Sequence, residues 1–446
     1  FRRVLFRSGS VRAGRRHFHH RRRGAMVTRW LKDDQIGSGI IFRAYEDRGL
    51  LIDNALFGLH LKYRANKYLT VKGFSGQTKN LFDRYKPILK GFAAEGDLDL
   101  GKSAHITPGI GIVNRTMDQA SMDQVISTIN SYPMSDRFTP VYNSFASTFY
   151  NTLNAGDFTW YVEAAYKSHE AVSTDIGLKR LNGNVLYSTL GYSQAKFGIN
   201  ANFKRTENFM MRTSPNETLI KGLYNWQPII AQIRPQRLIA RYTPPSQDLS
   251  EMGGGINAFV TPNENVSFNI SYTHINTLAG DTLYREAFVD AEIRSVKDFI
   301  FHIGAQYLVY NQSLYQQKVK SNYPNIIALT PFVEVVYKIN DSRSIRTELQ
   351  YMNTKQDFGS WFFGLLEFSI ASKWSFAVSD MYNIAPNYKH VNKAQHYPNF
   401  FIAHTRGAHR FTAQYVKQVE GINCTGGVCR YEPAFSGARI GVISTF

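Results

Sequence analysis

The stretch VSFNISYTH, residues 266–274, sets Val266, Phe268, Ile270 and Tyr272 on one side of an extended chain and Ser267, Asn269, Ser271 and Thr273 on the other. Side chains change face at every residue of a strand but recur about every 3.6 residues on a helix, so this spacing predicts a strand with one oily and one polar face. The pattern returns in AKFGINANFK, 195–204, where Ala195, Phe197, Ile199, Ala201 and Phe203 oppose Lys196, Gly198, Asn200, Asn202 and Lys204. In 158–167, Phe158, Trp160, Val162, Ala164 and Tyr166 oppose Thr159, Tyr161, Glu163, Ala165 and Lys167. In 345–351, Ile345, Thr347, Leu349 and Tyr351 oppose Arg346, Glu348 and Gln350. Segments of roughly ten alternating residues are what a transmembrane β-barrel requires, with lipid touching one face and water or packed polar groups the other.

The connections sort by length. Very short turns are expected at Ala65-Asn66, 101–104, 154–156, Ser193-Gln194, 262–264, 295–297, 340–342, Ala371-Ser372 and Gly407-Ala408. Between those hairpins lie longer polar segments at 77–87, 116–142, 168–183, 206–253, 312–326, 382–398 and 421–433, with 276–282 and 354–359 of middling length. Outer-membrane barrels have short periplasmic turns and long external loops, whereas a soluble sandwich has no reason to alternate them. The expectation is an all-β chain, a large antiparallel barrel of about twenty strands from 37–43 to 434–446. No motif repeats, which argues against a propeller.

Composition agrees. Aromatic residues make up 14% of the chain, with 26 Tyr and 31 Phe, yet mean hydropathy is −0.30 and no run of 18 apolar residues occurs. A barrel averages to such a value because only alternate residues face lipid. The net charge of +18 is local: residues 1–30 hold ten Arg and no acid, and the other 416 carry 42 basic against 34 acidic side chains, a net +8. Residues 1–30, opening FRRVLFRS and including RRHFHHRRR, have neither strand nor helix period and no apolar signal core, and are read as an artefact or a disordered basic segment. The barrel domain is 31–446, and no nucleic-acid partner is expected once 1–30 are set aside.

The last strand ends AFSGARIGVISTF. Phe446, Ser444, Val442, Ile440 and Ala438 share one side, and a terminal aromatic on such a strand is similar to the signal by which the barrel-assembly machinery recognises its clients; Phe446, Val442 and Ile440 are its candidate residues. The stretches IGSGIIFRAYEDRGLLIDNAL (36–56) and NCTGGVCRYEPAFSGARIGVISTF (423–446) resemble a Bacteroidota outer-membrane β-barrel family of unknown function. The resemblance covers about 31–446 and implies the fold, an integral outer-membrane location and additional N-terminal strands, but no substrate and no catalytic residues.

The only cysteines, Cys424 and Cys429, flank Gly426 and Gly427. A zinc site needs four ligands, so a disulfide at an external loop tip is expected, worth about 2 kcal/mol on the chain-entropy account. No nucleotide-binding loop, HExxH, GxSxG or EF-hand loop occurs, and neither enzymatic activity nor a cofactor or metal is expected. Glu286, Asp290 and Glu292 share a face with Arg294 beside them and His302 on the next strand; a His–carboxylate pair there can also be plain lumen wall, since charges facing lipid cost about 2–4 kcal/mol and must point inward. The charges placed in the lumen are Glu95, Asp97, Asp99, Glu163, Lys167, Lys196, Lys204, Glu334, Lys338, Arg346, Glu348 and Arg439. Both signs occur, so they predict ion pairs rather than ion selectivity. Trp160, Trp361, Trp374 and Tyr382 are expected in the aromatic belts at the membrane boundaries.

The segment 206–253 is unusual in its 48 residues, with Pro215, Pro228, Pro235, Pro244, Pro245, Tyr224 and Trp226. Loops of that length are functional or disordered, and prolines with aromatics predict an ordered lid or a plug folded into the pore. The functional expectation is a porin-like channel for small solutes with loops narrowing the lumen, about twenty strands enclosing room for water. The rival is a non-conducting barrel whose external loops bind protein partners in an outer-membrane assembly, export or surface complex. Lipid and the insertion machinery are partners in either case.

Overall fold

In a computed structural model of the chain, the structure describes residues 30–31, 56–80, 83–101, 103–174, 176–217, 222–224, 230–244, 249–316, 323–389, 393–418, 421–425, 428–432 and 434–445. The basic segment 1–29, the expected strand 37–43 and most of the stretch 36–56 lie outside the described residues, as do Trp226, Pro228, Pro245, Gly426, Gly427 and Phe446.

Nearly every described element is a strand, and 21 of them form a single antiparallel sheet. From Leu56–Arg64 onward, each long strand pairs with the next in chain order, as in Val266–Thr277 with Thr282–Ile293 and the latter with Phe299–Tyr310. Ile88–Gly96 and Leu98–Leu100 are one strand interrupted at Asp97, both pairing with Ala104–Thr116. The final strand, Phe435–Ser444, pairs with His409–Gln418, and among the described residues no pairing joins it to Leu56–Arg64. Trp30–Leu31 pairs with the outer edge of Leu56–Arg64 through two residues.

All nine expected short turns are present, including those after Ile370 and Arg406. Two of the expected loops, 168–183 and 116–142, contain long regular elements. Residues 168–183 continue the hairpin: Phe158–Thr174 and Gly177–Ser193 run 17 residues each and pair as far as Thr174 with Gly177. The apolar alternation breaks there because the register shifts between Lys167 and Glu170, which exchanges the faces, and Gly177 turns the chain at φ +109°, where a side chain is disfavoured. Residues 116–142 hold a helix, Gln119–Asn130, capped by Asp118, whose carboxylate accepts from the Ser121 N–H at 3.2 Å. Met122, Val125 and Ile129 point from it onto Ala171 and Leu178 of the lengthened hairpin, so neither feature would bury its apolar face without the other.

The two faces of the sheet differ as the alternation requires. Phe268, Ile270 and Tyr272 are 41, 59 and 43% exposed, while Ser271 and Thr273 between and beyond them are buried. The same phase holds at Phe362 and Leu366, at Leu349 and Tyr351, and at Val378. The exposed face is therefore the oily one, the inverse of a soluble protein. The packed interior lies on the opposite side, in two main clusters. One joins Leu56, Phe74, Leu89, Val113, Ala146, Ala165 and Val185 to Phe209, Met211 and Tyr224. The other joins Ile275, Leu283, Leu308, Ile326, Met352, Trp361 and Met381 to Ile230, Leu238 and Tyr242.

Candidate functional site

What fills the inner side is the long connection between Phe197–Glu207 and Glu251–Asn263. Phe209, Met211 and Tyr224 pack on strands at the start of the sheet, and Leu238 and Tyr242 pack on strands near its end, against which Tyr397 also rests. Leu238 follows Tyr224 by only 14 positions. Strands from Leu56–Arg64 to His396–Arg406 thus surround one short piece of chain, which requires the sheet to curl into a barrel around it. Trp361, expected in an aromatic belt, is 1% exposed and belongs to this interior; its odd position places it on the inner face opposite to Phe362. Trp160 and Trp374 are exposed on the outer face.

Polar groups pin both halves of the segment. Lys167 Nζ donates to the Met210 carbonyl at 2.8 Å and Arg115 Nη1 to the Arg212 carbonyl at 3.1 Å. The same two cations share Glu170, at 2.8 and 2.7 Å. Lys204 and Glu251, on the strands that bracket the segment, pair at 2.5 Å. Further along, Arg234 donates to Ser271 Oγ, lies 3.8 Å over the Phe288 ring and faces Glu286 at 3.8 Å. The Leu238 N–H donates to Gln350 Oε1 at 2.7 Å. Arg241 lies 4.7 Å from the Trp361 ring and 3.7 Å from Asp357. Sequence reading singled out neither arginine; the seven-residue spacing of Arg234 and Arg241 amid prolines is the only trace they leave, and it names no partner.

The charges placed in the lumen by alternation occupy three settings. Glu163 and Lys167 are fully buried, Glu163 accepting from Thr148 Oγ1 at 2.6 Å and Tyr161 OH at 2.5 Å; Lys204 is 3% exposed. Arg346 gathers Glu334 at 2.6 Å, Glu348 at 2.5 Å and Glu367 at 3.4 Å, while Glu95 meets Lys72 at 3.6 Å and Tyr150 OH at 3.1 Å. At the rim by the short turns, Asp97 and Asp99 take opposite nitrogens of His105, each at 3.0 Å, and Lys196 and Lys338 are exposed. Arg439 stacks 4.5 Å over Phe435. Alternation separates the faces but not depth, so it did not separate wall from rim. His302 meets Asp290 through Nε2 and stands in register with Glu292 and Glu334. Among the described residues, no group of three His, Cys, Asp or Glu is placed to hold a metal ion, and no helix is long and apolar enough to cross a membrane.

Cys424 and Cys429 are directly opposed in a separate small hairpin, Gly421–Thr425 with Val428–Glu432. On the last strand Ile440 and Val442 are 86 and 60% exposed on the oily side.

These features define an all-β, antiparallel barrel-type protein with an oily exterior and an internal segment. Residues 33–446 match the family described as "Family of unknown function (DUF6029)", and the chain belongs to it. No curated protein matches the sequence. Among solved structures, the chain is similar to the ferric-catecholate import receptor Fiu from E. coli K12, at 8% identity and a TM-score of 0.35, over 88% of this chain and 79% of that one. It is similar to OccK8 (OprE) from Pseudomonas aeruginosa at 10% identity and a TM-score of 0.40, over 84 and 97%, and to a Rh. blastica porin mutant at 9% and 0.32, over 69 and 92%. The barrel is built by the consecutive antiparallel pairing of the strands themselves.

Proposed function

We propose that this is an integral outer-membrane barrel that passes small solutes through a lumen narrowed by the segment 208–250. The outer face supports the membrane location: a continuous band of Phe, Leu, Ile, Val and Tyr exposed on alternate residues is costly in water and favourable in lipid. The observation that carries the channel reading is the docking of the segment on inner-face side chains of both halves of the sheet. A barrel that served only as an anchor would have no need of a wall-bound, hydrogen-bonded constriction, whereas a sieve needs one. Insertion by the barrel-assembly machinery and a Cys424–Cys429 disulfide, which would make both thiols unreactive until reduction, are part of the same proposal.

One observation favours the rival, partner-binding reading. The lengthened hairpin 158–193 and its supporting helix raise Ile176 and Met134, 76 and 79% exposed, on the side of the long loops, where an apolar tip suits protein contact. Planar-bilayer recording separates the two. Stable openings from the purified full chain, enlarged when 209–249 are replaced by a short linker, support the channel; silence in both forms favours the partner-binding barrel.

A further inference from the structure

Two of the arginines of the internal segment, Arg234 and Arg241, each meet aromatic rings and a buried carboxylate of the wall. Arg234 sits in a pocket of Phe288, Ser271 and Glu286, which are 3, 4 and 0% exposed. Arg241 sits against the wall rings of Trp361 and Phe358 and its own chain neighbour Tyr242, its Cζ 4.7, 5.4 and 5.5 Å from the three rings. Asp357 closes that second pocket, accepting from Tyr242 OH at 2.8 Å. In each, the carboxylate stands 3.7–3.8 Å from the nearest guanidinium nitrogen, too far for a forked ion pair. The other contact is with aromatic rings, Arg234 3.8 Å from the Phe288 centroid and Arg241 4.7 Å from that of Trp361. An aromatic ring with a carboxylate at its edge, joined by the wall hydroxyl of Ser271 in the first pocket and by Tyr242 OH of the segment itself in the second, forms a receptor for a planar, weakly hydrated cation with several edge donors. An ammonium has neither the plane nor the fork.

Glu286 and Asp357 also constrain what happens if the segment leaves. Both are buried with the segment in place, at 0 and 6% exposure, and a carboxylate whose cation leaves is balanced by entering water, by a proton or by another cation. Of these, a second guanidinium alone restores the aromatic contact together with the charge.

We propose that the two pockets are guanidinium-recognition sites on the inner wall, occupied here by Arg234 and Arg241 as internal ligands, and that a guanidinium-bearing solute takes the same places when the segment moves aside. This rests on the channel reading for its physiological sense but not for its chemistry. The segment is then a competitive stopper, held by the same recognition that the solute meets.

The test uses the full chain in detergent micelles, wild type and Arg234→Ala/Arg241→Ala, titrated with millimolar guanidinium chloride, far below denaturing concentrations. Methylammonium chloride at equal ionic strength is the control. The double variant melts at a lower temperature, and guanidinium restores at least twice as much of the lost midpoint as methylammonium, saturably. Wild type, its sites filled, shows no such response, and adding Glu286→Gln and Asp357→Asn abolishes the rescue. Equal effects of the two cations on the folded double variant overturn the proposal. If that variant does not fold, Arg241→Ala alone is titrated and read by tryptophan fluorescence, to which Trp361 contributes; a change saturable by guanidinium and not by methylammonium upholds the second pocket, and its absence overturns the proposal. Rescue without any channel opening upholds the pockets and removes the channel reading. Openings enlarged in the variant without rescue retain the channel and remove the pockets.

Discussion

Leu238, in the middle of the internal segment, gives its backbone N–H to the side-chain carbonyl of Gln350 at 2.7 Å, across 112 positions of sequence. Both residues are buried, at 0 and 1% exposure, and Gln350 is itself fixed by donating to Glu348 Oε1 at 2.5 Å. Gln350→Leu keeps the volume but leaves the Leu238 donor unsatisfied, which costs about 1–3 kcal/mol. The expected result is a lower unfolding midpoint in detergent together with larger or noisier openings in bilayer recordings, because the same bond anchors the segment.

Glu170 is 4% exposed and holds two cations, Arg115 and Lys167, themselves 1 and 0% exposed. Glu170→Gln removes the only charge of its sign in that triad. Breaking a buried ion pair from one side costs about 3–5 kcal/mol, so the variant is expected to lose heat resistance strongly, read as a fall in the temperature at which the folded band disappears on semi-native gels. Replacing the whole triad by apolar residues of similar volume should recover much of the loss.

Gly109 has no room for a side chain. A Cβ there would come within 2.0 Å of the Tyr150 ring, which lies across the glycine and reaches Glu95 at 3.1 Å. Gly109→Ala must push the ring aside and costs about 1–3 kcal/mol. Urea unfolding of the variant measures it, and Tyr150→Ala in the same background should remove most of the added strain.

The faces of the strands were legible in sequence because a two-residue period is a local property: Phe268, Ile270 and Tyr272 needed no knowledge of their neighbours. The short turns were legible for the same reason. The length of the hairpin 158–193 was not, because the register shift after Lys167 breaks the alternation while leaving the pairing intact. Trp361 was misplaced because tryptophan chemistry suits a membrane boundary as well as a core; only its phase relative to Phe362 distinguishes them. The proline-rich segment could be read as a lid or plug, but its docking sites could not. Those depend on which of many inner-wall residues Arg234, Leu238 and Arg241 meet, a long-range choice that leaves no local mark.

The most direct test places single cysteines in turn at positions 266–274 of a Cys-free full chain in vesicles, labels each with a fluorophore, and measures quenching by a lipid-phase quencher. Strong quenching is expected at Phe268, Ile270 and Tyr272 and weak quenching at Ser267, Asn269, Ser271 and Thr273. Uniform quenching along the stretch, or reaction of both sets with a water-borne quencher alone, would contradict it.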